Sequence, residues 1–251
     1  MTPPHRRTVL ITGASSGLGE GMARLFAERG HDLALCARRL DRLEQLRDEL
    51  LAAHPSRRIE VRSLDVTDHE AVFAVFHALD AELRLDRVVV NAGLGKGAPI
   101  GTGYFRANRQ TAETNFIGAL AQCEAAMEIF RARDAGHLVV ISSVSARRGV
   151  RGPMTTYGAT KAGVAALAEG IRSDVFDSPI TVTTLYPGFI ASEMTARARK
   201  TPFIVDTEKG CRAMVDAIER EGAEATVPAW PWRPIGLASR LLPLRVVRRL
   251  M

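Results

Sequence analysis

Short apolar runs alternate along this chain with longer stretches whose apolar residues recur at helical spacing, and the rhythm holds to about position 227. The pattern predicts strands at 8–12, 32–37, 58–63, 87–91, 137–142, 180–185 and 225–227. Between them it predicts helices at 17–29, 40–53, 68–83, 109–133, 156–176 and 206–221. Several strands are nearly continuous Val, Leu and Ile, as expected when helices cover both faces of a parallel sheet. The expectation is therefore an α/β fold: a doubly wound, mostly parallel seven-stranded sheet in one catalytic domain over 1–229. A basic, apolar tail over 230–251 follows it. Three long loops, at 94–107, 143–155 and 187–202, each follow a strand. In open sheets of this kind the ligand crevice lies at the carboxyl ends of the strands, so these loops should meet there.

Composition narrows the class. The chain has 251 residues, 46% hydrophobic and 25% charged, the balance of a globular domain that buries its core without staples. Cys36, Cys123 and Cys211 are scattered and odd in number, with no metal-ligand spacing, so a reducing compartment and no metal are expected. No apolar run matches a signal peptide or a membrane span, which favours the cytoplasm. The net charge of +6 raises nucleic acid or anionic membrane as partners. No helix-turn-helix, zinc finger or RNP-type motif accompanies it, so nucleic acid is not expected. A phosphorylated cofactor accounts for part of the excess.

The first strand runs into Thr12-Gly13-Ala14-Ser15-Ser16-Gly17-Leu18-Gly19 and then a helix. Glycines at such a junction allow a tight turn and bring a pyrophosphate against backbone N–H groups at the helix N-terminus. The fold is thereby a Rossmann sheet with a dinucleotide site. The second strand ends in Ala37-Arg38-Arg39, where NAD-selecting sheets carry an acid for the ribose 2′-hydroxyl. Arginine suits a 2′-phosphate instead, so NADP(H) is expected over NAD(H). Asp65 follows the third strand as an Asx turn or a ligand contact. Asn91-Ala92-Gly93 closes the fourth, where small residues admit a ligand close to the backbone.

Tyr157-Gly-Ala-Thr-Lys161 opens a predicted helix, and residues four apart share a face, so phenol and ammonium can share a pocket. A phenol with pKa about 10 is a poor base near neutrality, and a neighbouring cation favours its ionised form. With the glycine loop, Asn91–Gly93, Asn115, Ser143 and Pro187-Gly188, the pair makes the chain resemble the short-chain dehydrogenase/reductase family, in its single-domain, NADP-preferring branch. The ordered match spans roughly residues 8 to 195. The resemblance implies a tetrad. In it Tyr157 is the acid/base, Lys161 lowers its pKa and holds the nicotinamide ribose, Ser143 bonds the substrate oxygen, and Asn115 positions a water. It also implies Asp65 and Val66 beside the adenine, and Ile190 and Ser192 at the nicotinamide carboxamide. Ser143 lies one residue farther from Tyr157 than the family pattern, which leaves Ser142 and Ser145 as substitutes. Ser192 stands where threonine is usual. Ser16 fills the place of a basic residue common in NADP-preferring members.

The expected activity is hydride transfer between NADP(H) and a carbonyl or secondary alcohol. A non-catalytic dinucleotide-binding sensor is the rival, and the retained tetrad argues against it. The loops that select substrate carry no decisive pattern; an apolar ketone is the preferred reading. Arg147, Arg148 and Arg151 either receive an anionic group or form a solvated loop. The resemblance implies a homodimer or homotetramer through the helices near Arg109 and Thr156. The tail pairs Trp230 and Trp232 with leucines and arginines. It is expected to cover the substrate cleft or a neighbouring subunit, with weak contact to anionic membrane as a secondary role. Pro231, Pro234 and Pro243 weigh against a long helix there.

Overall fold

Seven parallel strands form one sheet in the order β3-β2-β1-β4-β5-β6-β7. These are β1 (Thr8–Thr12), β2 (Asp32–Ala37), β3 (Ile59–Ser63), β4 (Arg87–Val90), β5 (Gly136–Ile141), β6 (Ile180–Pro187) and β7 (Glu224–Val227). The structure is a computed structural model that describes residues 6–197 and 203–250. The helices are α1 (Gly17–Glu28), α2 (Leu40–Ala53), α3 (His69–Leu83), α4 (Phe105–Ala112), α5 (Gly118–Arg133), α6 (Thr155–Asp174), α7 (Thr207–Glu219), α8 (Ala229–Leu241) and α9 (Leu244–Leu250). The expected sheet is thus present strand for strand. Among the described residues no helix is long and apolar enough to cross a membrane. The three cysteines are free and buried.

Side chains alternate across each strand, and the sheet separates two cores accordingly. Val9, Ile11, Leu33 and Leu35 face Met22 and Phe26 of α1 and Met214 and Ile218 of α7. Leu10, Val88, Leu138 and Val140 face Phe76 of α3 and Phe130 of α5. Asp68 caps α3 by accepting the Ala71 N–H at 3.1 Å, as a helix-start aspartate should.

Two expectations need correction, and a third is met. The helix expected at 109–133 begins earlier, at Phe105, and is interrupted by a π-helical turn at Glu113–Ile117 before α5. The extra residue in that turn breaks the 3.6-residue period, which is why the pattern alone blurred its start. The loop at 143–155 contains two 3-10 turns, Val144–Ala146 and Gly152–Met154. Among the described residues the tail has no long helix, as its prolines led one to expect: Pro231 follows the non-helical Trp230 at the start of α8, Pro234 lies inside α8, and Pro243 separates α8 from α9. Of the third loop, 198–202 lie outside the described residues, as does Met251 of the tail; the side chains of Arg240, Arg248, Arg249 and Leu250 do too.

At the amino ends of the strands, opposite the expected crevice, lies a buried polar chain. Glu221 accepts from Arg6 Nε at 3.0 Å, Arg87 Nη2 at 3.0 Å and Thr181 Oγ1 at 2.9 Å. Arg87 Nε donates to His137 Nδ1 at 2.8 Å, and the other ring nitrogen lies 2.8 Å from Thr183 Oγ1. Thr183 in turn donates to the Gly222 carbonyl at 2.8 Å. A donor on Nδ1 leaves only one tautomer, so His137 is neutral with its proton on Nε2. Burial, then the charges of Arg87 and Arg6, hold its pKa well below the usual histidine value. As pH falls through about 6.5, the unfolded chain takes up a proton at this residue that the folded chain refuses, so folding stability should decline. The direct check is a histidine-selective ¹⁵N–¹H spectrum. His137 is expected to keep the neutral Nε2–H pattern at pH 6, and a doubly protonated ring there would contradict the tautomer assignment.

Candidate active site

The strand order reverses between β1 and β4, and there the two βα connections splay apart to open a crevice. Thr12, at the end of β1, fastens its edges. Its hydroxyl receives the backbone N–H groups of Asn91 and Ala92, each at 3.1 Å, and bonds Gln122 Oε1 of α5 at 2.7 Å. Asn91 Nδ2 returns a bond to the Thr12 carbonyl at 2.8 Å. The sequence reading passed over Thr12 and Gln122, although threonine opens the glycine loop. In that loop Gly13 has φ 65°, and a Cβ on Gly19 would sit 2.3 Å from the Gly13 carbonyl oxygen. Side chains would fill this cradle, and their absence leaves the N-terminus of α1 open to a pyrophosphate.

Beside the cradle, Arg39 Nε and Nη2 reach the hydroxyls of Ser15 and Ser16 at 3.2 and 2.7 Å. Arg38 stands 3.9 Å from Asp65 across a cleft of about 330 Å³ that Thr67, Arg106 and Arg109 also line. Asp65 is an Asx turn as well, accepting the Thr67 N–H and hydroxyl at 3.0 and 2.8 Å. Val66 is buried between β3 and α5, so its side chain belongs to the core and only its backbone can face a ligand. These groups fit a dinucleotide: a glycine cradle for the pyrophosphate, and two guanidiniums with two hydroxyls for a further phosphate. Sequence reasoning missed Glu193, which pairs with Arg42 at 2.8 Å and Arg39 at 3.4 Å. It joins the loop after β6 to the start of α2.

The groups named for chemistry gather beyond β4 and β5. Lys161 is buried, and its Nζ donates to the Ile141 carbonyl at 2.7 Å. Burial lowers its pKa to about 8. Tyr157 lies one turn earlier on α6, its ring centroid 6.0 Å from Lys161 Nζ. Burial pushes the phenol up, and a hydrogen bond from Ser143 pulls in the opposite direction. With its pKa raised above the ordinary phenol value, Tyr157 is protonated at neutral pH. Of the three serines, Ser143 is the one at the phenol. Ser142 donates to the Lys161 carbonyl at 2.7 Å, and Ser145 gives its backbone N–H to Ser143 Oγ at 3.1 Å. Asn115 sits in the π-helical turn, buried, and pairs with both backbone groups of Leu94: Oδ1 accepts at 2.7 Å and Nδ2 donates at 2.9 Å. A Cβ on Gly93 would lie 3.3 Å from Asn115 Oδ1 and 3.6 Å from Lys161 Nζ, so the three residues adjoin.

After Pro187, Gly188 bonds the Val227 carbonyl, and an Ile190–Val205 bridge pins the loop. The Ile190 side chain is buried in the core. Ser192 and Thr195 pair their hydroxyls at 3.3 Å, and Ser192 Cβ lies opposite Gly17 of the cradle. Met194 stands over Gly95. Arg147 lies 3.5 Å from the Tyr186 ring centroid and bonds Glu224 at 3.1 Å, while Arg148 donates to the Leu242 carbonyl at 3.3 Å. Both tie the loop down.

Comparison with known proteins agrees with this fold. The model of the short chain dehydrogenase family matches residues 7–202. An uncharacterised oxidoreductase of Mycobacterium tuberculosis (strain ATCC 25618 / H37Rv) is 52% identical over 250 residues, 99% of each chain. An NADP-dependent 3-hydroxy acid dehydrogenase of Salmonella typhi is 30% identical over 88% of this chain and 87% of its own. Among solved structures, a short-chain dehydrogenase from Sphingobium yanoikuyae in complex with NADPH superposes with a TM-score of 0.81 at 28% identity. That match covers 97% of this chain and 94% of the other. The chain belongs to the short-chain dehydrogenase/reductase family of oxidoreductases.

Proposed function

We propose that the protein interconverts a carbonyl and a secondary alcohol with NADP(H), using Tyr157, Lys161, Ser143 and Asn115. The observation that carries this reading is the gathering of Tyr157 and buried Ser143 with buried Lys161, whose Nζ lies 6.0 Å from the centroid of the phenol ring, at the switch-point crevice. When bound, NADPH supplies a hydride to the carbonyl carbon. In reduction, Tyr157 gives its phenolic proton to the carbonyl oxygen, and Ser143 hydrogen-bonds the same oxygen as charge grows on it. Raised by burial, the phenol holds the proton it must donate. Lys161, fixed by the Ile141 carbonyl, supports the cofactor's ribose and the return of a proton to Tyr157. Asn115, held by both backbone groups of Leu94, positions a water in that relay.

The pair Arg38 and Arg39, with Ser15 and Ser16, supports a 2′-phosphate and hence preference for NADP(H). Arg147 and Arg148 are engaged by Tyr186, Glu224 and Leu242, which argues against an anionic substrate group there. Met194, over Gly95 in the loop after β4, is partly exposed there, so an apolar ketone suits the crevice. Exposed Ile117 and Phe176, beside α5 and α6, support assembly into a dimer or tetramer across those helices.

Tyr157→Phe should lower turnover by a factor on the order of 10² or more while leaving NADPH affinity unchanged. An NADPH-oxidation screen over ketones, aldehydes and acyl thioesters supplies the assay, and turnover within about tenfold of the parent would refute the role.

Ser143→Ala should also slow turnover by more than about tenfold, because it removes a donor to the developing oxyanion. Ser142→Ala should instead lower stability by about 1 kcal/mol, through its bond to Lys161, with a smaller kinetic effect. Denaturant titration and kcat measured on both variants decide it, and the reverse ranking of kcat would move the role to Ser142.

Arg39→Ala should weaken NADPH binding by about tenfold or more, since charge-assisted bonds contribute about 1.5–3 kcal/mol. NADH affinity should barely change. Calorimetric titration with each cofactor tests this, and equal losses for both would show that Arg39 does not read the 2′-phosphate.

A further inference from the structure

The tail is held to the body by one side only. Trp232 is buried against Gly188, where a Cβ would come within 2.1 Å of its Nε1, so this glycine is what lets the helix seat. Its ring meets Phe189 and Phe203 edge-on at centroid distances of 5.3 and 6.1 Å. Gly236 packs on Arg147, Val247 is buried, and Arg148 bonds the Leu242 carbonyl. Trp232, Gly236 and Ser239 thus mark the inner side of α8 at helical spacing.

Among the described residues the outer side is apolar and uncovered. Leu237 and Leu241, one turn apart, are 66% and 80% exposed, and Trp230 before them is 79% exposed. Leu244 at the start of α9 is 64% exposed. Phe203, which touches Trp232, extends the patch at 60%. Residues 229–251 contain five arginines and no Asp or Glu. Exposed tryptophan and leucine set among arginines, on helices with no acidic residue, is the composition of an element that lies in a lipid headgroup region.

We propose that the outer face of α8 and α9 is a docking surface for an anionic lipid bilayer. Charge selects this occupant over a second copy of the chain. A twofold contact through the same face would bring together two segments that each carry five arginines, exposed Arg233 and Arg245 among them, with no acidic residue in either to pair them. An anionic membrane neutralises those charges and takes up the leucines and Trp230 together. The inner side of the same helices abuts the loops after β5 and β6. Docking therefore places the rim of the candidate crevice at the membrane surface. The consequence that an apolar ketone reaches the site from lipid rests on the reductase reading; the lipid contact itself does not.

The test is co-sedimentation of the full-length protein with phosphatidylcholine vesicles, with and without phosphatidylglycerol, at low and high salt. The expected result is binding to the phosphatidylglycerol vesicles about tenfold above that to neutral ones, weakened by salt, with a blue shift of tryptophan emission. The double variant Leu237→Glu, Leu241→Glu, at exposed positions, should lose that binding while retaining its melting temperature and NADPH affinity. Failure of the parent protein to sediment with anionic vesicles would overturn the proposal. So would undiminished binding of the folded double variant, which would show attraction by basic surface elsewhere. Self-association of the parent in sedimentation velocity, abolished in the double variant and without vesicle binding, would overturn it in favour of a second copy. Binding of vesicles with NADPH affinity intact but no carbonyl reduction in any assay would support the surface and reject the reductase reading.

Discussion

Parallel pairing of β1 with β4, across the point where strand order reverses, is the constraint on which the site depends. The chain leaves β1 for one side of the sheet and β4 for the other, and the two connections must part there. The parting opens a crevice at the carboxyl ends, and the Thr12 hydroxyl then sets its width by holding Asn91 and Ala92. Every group proposed for catalysis is measured from this seam. Lys161 hangs from the last carbonyl of β5, Tyr157 from the helix that carries Lys161, and Asn115 from the turn facing Leu94. None of these groups stands on a freely moving loop.

Rigidity in the chemical groups contrasts with the means used to cover them. The segment after β6 is held by a short bridge, a pair of hydroxyls and the surface ion pairs of Glu193. Exposed ion pairs contribute little to stability and weaken with salt. The division suits a site whose ligand must enter and leave: buried bonds hold the chemical groups, and exposed ion pairs hold part of the segment beside them.

Much of the architecture was legible because helices on both faces force strands to be almost wholly apolar, and such runs stand out. Val88-Val89-Val90 and Leu138-Val139-Val140 could hardly be anything else. The glycine loop and the Tyr157–Lys161 spacing were legible because local geometry demands those residues. What escaped was set by tertiary contact. The π-helical turn at Glu113–Ile117 leaves no periodic trace. The separate positions of Ser142 and Ser143 depend on the direction in which β5 ends. The bond between Arg39 and two serines needs β2 and the glycine loop side by side. The tail's prolines were legible as breaks of a long helix, but not that Pro234 would be accommodated inside a short one.

The polar chain at the far end of the sheet ties Arg87, His137 and Thr183, on three neighbouring strands, to Glu221 in the turn before β7. Each member supplies what the next lacks, so none can be exchanged alone without setting donor against donor or stranding a buried charge. The four side chains therefore act as one clasp across three strands and a turn, closing the sheet at the end where no crevice opens.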